Sequence, residues 1–131
     1  MMDQHKYKKQ GLNRVTQAFI NSGKGFYAAW LNESAFRQEM YLFIILSATA
    51  ILLPIEINHK FILILIMLPV LAIELINSAI ESVVDRISMD KHELSARAKD
   101  MGSAAVFISL IIVVLVWCYI LWKNFGMSIS L

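Results

Sequence analysis

The chain has 131 residues, 58% of them hydrophobic, and a formal net charge of +2; its mean hydropathy is +0.61. That apolar share exceeds the ~45–50% of soluble domains and points to a membrane protein with a single domain over 1–131. The small net charge, without a basic run interleaved with aromatics, argues against a nucleic-acid binder, and the lone Cys118 excludes an intramolecular disulfide.

Residues 1–11 read as a mobile basic tail, with Lys6, Lys8 and Lys9 able to touch anionic headgroups and no apolar core of a signal peptide. Residues 12–31 read as an amphipathic surface helix. Leu12, Val15, Phe19, Phe26 and Trp30 share one side, and Arg14, Gln17, Asn21, Lys24 and Ala28 lie opposite. An apolar stripe beneath a basic face suits a helix lying in the membrane interface. Gly23 and Gly25 weaken its middle. The polar stretch 29–39 follows, with Glu33 and Arg37 spaced as an i,i+4 ion pair on a helix.

Three apolar segments come next, read as membrane spans at 40–57, 61–84 and 101–122. Pro69 predicts a kink or a lost hydrogen bond in the second. The short connection Glu56–Lys60 makes the first two an antiparallel pair. Lysine and arginine are distributed as six before the first span, one in the first loop, four in the second loop and one after the third span. The positive-inside rule then places the N-terminus and second loop in the cytoplasm, with the first loop and C-terminus outside. Trp117, Tyr119 and Trp122 anchor the outer end of the third span.

The second span carries the most informative pattern. Glu74, Asn77, Ser78, Glu81 and Asp85 fall at roughly 0°, −60°, +40°, −20° and +20° around a helix, so three carboxylates and an amide share one narrow stripe. An acid within an apolar span is costly and by default functional. Counting from Phe61, Glu74 lies about 10 Å from the cytoplasmic edge of the bilayer core, with Glu81 about at the edge. The stripe thus climbs from lipid toward water. Glu33, Arg37, Glu39, Lys99 and Asp100 fall on the same side. Carboxylates facing water beside lysine and arginine are the materials of a Mg²⁺-nucleotide site, and equally of an ion pathway. No Walker A loop, G-x-G-x-x-G or H-E-x-x-H motif competes.

Three motifs, Ala28-Ala-Trp-Leu-Asn-Glu-Ser-Ala-Phe-Arg-Gln-Glu39, Glu74-Leu-Ile-Asn-Ser-Ala-Ile-Glu-Ser-Val-Val-Asp-Arg86 and His92-Glu-Leu-Ser-Ala-Arg-Ala-Lys-Asp-Met-Gly-Ser-Ala-Ala105, closely resemble the bacterial integral-membrane diacylglycerol kinase family over roughly residues 11–126. The resemblance implies an all-α homotrimer of the inner membrane, with three transmembrane helices and one surface helix per subunit. It implies transfer of the γ-phosphate of MgATP to diacylglycerol, giving phosphatidic acid. Carried over by position, it makes Glu74 the general base, supported by Asn77, and gives Mg²⁺ the ligands Glu33 and Glu81. Arg14, Glu33, Glu81, Asp90, Lys91, His92, Lys99 and Asp100 would bind ATP. Arg14, Ser22, Arg37, Glu39, Glu74 and Ser103 would meet the lipid. A related branch phosphorylates undecaprenol, and the Asn-Glu-x-Ala-Phe-Arg-Gln-Glu form here looks more like the diacylglycerol branch.

A non-enzymatic oligomeric conduit is the competing class, but a bare conduit has no use for Lys99-Asp100 and a loop of both charge signs. Three helices and a surface helix cannot enclose both a nucleotide and a lipid headgroup. Active sites shared between subunits are therefore expected.

Overall fold

The computed structural model describes residues 11–87 and 92–126, and every regular element among them is helical. The helices are α1 (Leu12–Asn32), α2 (Ser34–Leu52), α3 (Ile57–Leu65), α4 (Leu68–Ile87) and α5 (Glu93–Phe125). Three stretches are long and apolar enough to cross a membrane: Ser34–Leu52, Ile57–Ile87 (α3 with α4) and Glu93–Phe125. At 33 residues, α5 is about 50 Å long and outruns a ~30 Å hydrocarbon core, so its polar first turns extend beyond the apolar run.

Each helix boundary has a local cause. Gly11 opens α1 at φ +68°, in the left-handed region that an L side chain enters only at a cost. The helix then runs unbroken through Gly23 and Gly25. It ends at Glu33, which is extended (φ −107°, ψ 112°) and separates α1 from α2. The expected Glu33–Arg37 pair on one continuous helix is therefore replaced by a corner. Arg37 instead donates to the backbone carbonyls of Trp30 at 2.8 Å and Leu31 at 3.2 Å. Those carbonyls have no partner within α1, and a charged fork satisfies two of them at once. Beneath the corner, Phe36 is 1% exposed and packs with Ala29 and Leu71.

α2 starts ahead of the charge-free run and stops at Leu52, one residue before the Leu53-Pro54 step. Lys60 Nζ donates to the orphan Ile51 carbonyl at 2.6 Å, tying the start of α3 to the end of α2. Pro69 supplies no N–H to the chain before it, and the backbone tightens there. The Met67 amide falls back on Ile64 O at 3.3 Å before Leu71 resumes the regular pattern on Met67 O. α3 and α4 are thus one kinked span.

The main core lies beside the α2–α3 connection and joins Ala50, Leu63, Met67, Val70, Val113, Trp117 and Ile120. At the far end of α5, Asn124 Nδ2 donates to Ile120 O at 2.7 Å and lies 3.1 Å from His59 Nδ1. Outside the cores, Ile44, Ile45, Phe107, Ile108, Val114 and Leu115 are exposed. Such a surface suits lipid rather than water.

Candidate active site

The carboxylate stripe lies on α4, and its burial falls along the helix. Glu74, at 3% exposed, is buried with Asn77 and Ser78, Glu81 is half-buried, and Asp85 is exposed. One-turn spacing lets the stripe bond to itself. Ser78 Oγ donates to Glu74 Oε1 at 3.4 Å, and Asn77 Nδ2 donates to Glu81 Oε1 at 3.2 Å. α5 approaches this stretch closely because residue 102 is glycine: a Cβ there would overlap Asn77 Oδ1. That oxygen is buried without a hydrogen-bond donor among the described residues.

Further acids come from the other helices. Glu39 on α2 is buried, and its Oε2 has no partner among the described residues. Glu33 stands half-buried at the α1–α2 corner. The charges of Glu81 and Glu33 act on Glu74, and that of Glu74 acts on Glu39. Acids held this close repel one another unless a cation or a proton joins them. Lys99 on α5 reaches the rim, where its Nζ bonds Asp85 Oδ1 at 2.6 Å.

No group of three or more His, Cys, Asp or Glu side chains is assembled for a metal among the described residues. Mg²⁺ needs no such cage, because it is held through one or two carboxylates together with substrate phosphates. Glu33 and Glu81 have that donor chemistry.

The structure distributes the remaining sequence-derived candidates unevenly. A cavity of about 520 Å³ between α1 and α4 is lined by Ser22, Phe26, Glu33, Leu75, Ser78 and Ser82, so Ser22 and Glu33 open onto one space. Arg14 lines a second pocket near the start of α1, which shares Ser22 with the first, and 19 helical residues put it about 28 Å along the axis from Glu33. Arg37 is occupied by the α1 carbonyls. His92 caps α5, accepting the Leu94 amide at Nδ1 at 3.2 Å. Asp100 and Ser103 are exposed on α5. With Gly102 turned to α4, Asp100 is rotated about 200° away, off the α4 stripe. Asp90 and Lys91 lie outside the described residues.

Three contacts were not foreseen in the sequence reading: Ser78 on Glu74, Gly102 under Asn77, and Asp85 on Lys99. The first and last stand within the polar stripe. A glycine inside an otherwise apolar helix, which costs about 1 kcal/mol against alanine, was the signal for the second.

Comparison with known proteins shows the family. The family model described as "Prokaryotic diacylglycerol kinase" matches residues 20–121. The chain is 47% identical over 116 residues to a diacylglycerol kinase of Escherichia coli (strain K12), covering 88% of this chain and 95% of the relative. It is 46% identical over 116 residues to that of Haemophilus influenzae, covering 88% and 98%. Against that of Pseudomonas aeruginosa it is 44% identical over 111 residues, covering 85% and 90%. Family match, near full-length similarity and three apolar helices lead to one conclusion: the chain is a membrane enzyme of the kinase type and belongs to the prokaryotic diacylglycerol kinase family.

Proposed function

We propose that the protein transfers the γ-phosphate of MgATP to the free hydroxyl of diacylglycerol, giving phosphatidic acid, with Glu74 as general base. The observation that carries this reading is the burial gradient of the stripe. Glu74 is the deepest acid, on a span apolar enough to sit in lipid, and Glu81 is nearer the exposed end of the same stripe. A lipid hydroxyl and a water-soluble nucleotide can meet along such a line. Phosphoryl transfer asks little covalent chemistry of a protein; positioning and charge stabilisation do most of the work.

Glu74 takes the hydroxyl proton as the oxygen attacks the γ-phosphorus, and the bond from that phosphorus to the β–γ bridging oxygen breaks to release ADP. Ser78 Oγ and Asn77 hold the acids of the stripe in register. Glu33 and Glu81 would hold Mg²⁺ with the nucleotide, where it would supply positive charge against the phosphates. Lys99 adds a positive charge at the rim. The lipid headgroup enters from the α1–α4 cavity, whose wall includes Ser22 and Glu33. α1, which leaves Leu12, Val15 and Phe19 exposed, lies in the interface of the inner membrane. The N-terminus and the α4–α5 connection face the cytoplasm, so ATP arrives from that side. Sites are completed by a neighbouring subunit of a homotrimer.

The test is Glu74→Gln, which keeps shape and hydrogen-bonding capacity but cannot take the proton. In detergent micelles with diacylglycerol, kcat falls at least ~10²-fold, the lower range for a general base, with assembly unchanged. Near wild-type turnover in the purified variant would remove Glu74 from the chemistry. Offering undecaprenol in parallel fixes the lipid acceptor.

A further inference from the structure

Lys99 has two carboxylates to choose from. Asp85 and Glu81 are one helical turn apart on α4, so their side chains are neighbours roughly 5–6 Å from each other. Lys99 bonds Asp85 at 2.6 Å, while the charge of Glu81 also acts on it. Glu81 is left with the Asn77 amide as its hydrogen-bond donor, at 3.2 Å. Of the two acids Glu81 is the less exposed, so an ammonium released from Asp85 finds in Glu81 a less screened partner within reach of its flexible stem.

We infer that Asp85 is a positioning residue that parks the Lys99 ammonium at the rim and so keeps the Glu81 carboxylate open for a divalent cation. The inference rests on the reading of Glu81 as a metal ligand. An amide in place of Asp85 would send Lys99 to Glu81, where the ammonium and the cation compete for the same oxygens. The side chains of Lys99 and Asp85 are 36% and 50% exposed, so their bond is weak. Asp85 touches neither substrate nor metal; it acts through Lys99.

The test is Asp85→Asn, with Asp85→Glu as the conservative variant. Asp85→Asn raises the Mg²⁺ concentration for half-maximal rate by roughly two- to five-fold, the range an exposed ion pair supports, while kcat at saturating Mg²⁺ stays near wild type. Asp85→Glu restores the wild-type Mg²⁺ dependence. A direct readout is Mn²⁺ binding followed by electron paramagnetic resonance with a non-hydrolysable ATP analogue, where Asp85→Asn weakens binding by the same factor. In a Lys99→Met background the same substitution no longer weakens Mn²⁺ binding, because no ammonium remains to compete. Wild-type Mn²⁺ affinity in Asp85→Asn overturns the inference, as does an undiminished shift when Lys99 is absent. Glu81→Gln separates the two levels. If it weakens Mn²⁺ binding and Asp85→Asn does not, only the positioning role fails. If Glu81→Gln leaves Mn²⁺ binding unchanged, the metal assignment fails and the inference falls with it.

Discussion

Asn77 stands where α4 and α5 come closest, and the amide faces two ways. Its nitrogen steadies Glu81, and its oxygen fills the place where a side chain at position 102 would begin. Gly102→Ala must therefore push Asn77 aside and take its hydrogen bond from Glu81. Overpacking of a closed contact costs about 1–3 kcal/mol, and here the displaced group belongs to the site. The expected result is a lowered midpoint of thermal unfolding in detergent together with reduced turnover. Gly23→Ala is the control, since a Cβ there meets nothing within 4 Å in the subunit. It gains roughly 0.5–1 kcal/mol from helix propensity and leaves turnover alone. Equal effects of the two substitutions would mean that the closeness of Gly102 to Asn77 is unimportant. At this scale the sequence was informative about polarity and silent about partners. The angular positions of Glu74, Asn77 and Glu81 follow from helix periodicity, whereas the Gly102 contact depends on how two helices pair in space.

At the scale of the helix, the α1–α2 corner sets where Glu33 stands. The corner contains neither glycine nor proline, so no local breaker marked it, and the spacing of Glu33 and Arg37 fits a continuous helix equally well. What ends α1 is tertiary: Phe36 buries itself against Ala29 and Leu71, and Arg37 folds back on the carbonyls of Trp30 and Leu31. The break near Pro69, by contrast, was legible, because a missing N–H acts wherever the helix packs. Arg37→Lys keeps the charge and loses the planar fork that meets two carbonyls together. It is expected to lower stability by about 1–2 kcal/mol, near the lower end for hydrogen bonds to charged groups because these are exposed, and to raise the Mg²⁺ concentration needed for half-maximal rate as Glu33 loosens. Thermal unfolding and a Mg²⁺ titration measure both. If Arg37→Lys changes only the KM for the lipid, with unfolding unmoved, Arg37 serves the headgroup rather than the corner.

At the scale of the whole molecule, one subunit leaves its candidate residues apart. Asp100 faces away from the stripe of its own chain, and Arg14 sits about 28 Å along α1 from Glu33. The expected number of copies rests on resemblance alone, because a homo-oligomeric seam presents the same small and apolar residues as any helix contact. Sharing can be tested without a structure of the assembly. Glu74→Gln and Asp100→Asn, each nearly inactive, are unfolded to monomers, mixed in equal amounts and reassembled. In a ring where each site takes Glu74 from one subunit and Asp100 from the next, about a quarter of the sites receive both intact residues, and activity returns toward that fraction of wild type. The two inactive proteins reassembled separately stay inactive. Should the mixture stay as inactive as its parents while wild type recovers fully under the same protocol, Glu74 and Asp100 of a site come from one chain. α5 would then have to turn about its axis to bring Asp100 round to α4, at the expense of the Gly102–Asn77 contact.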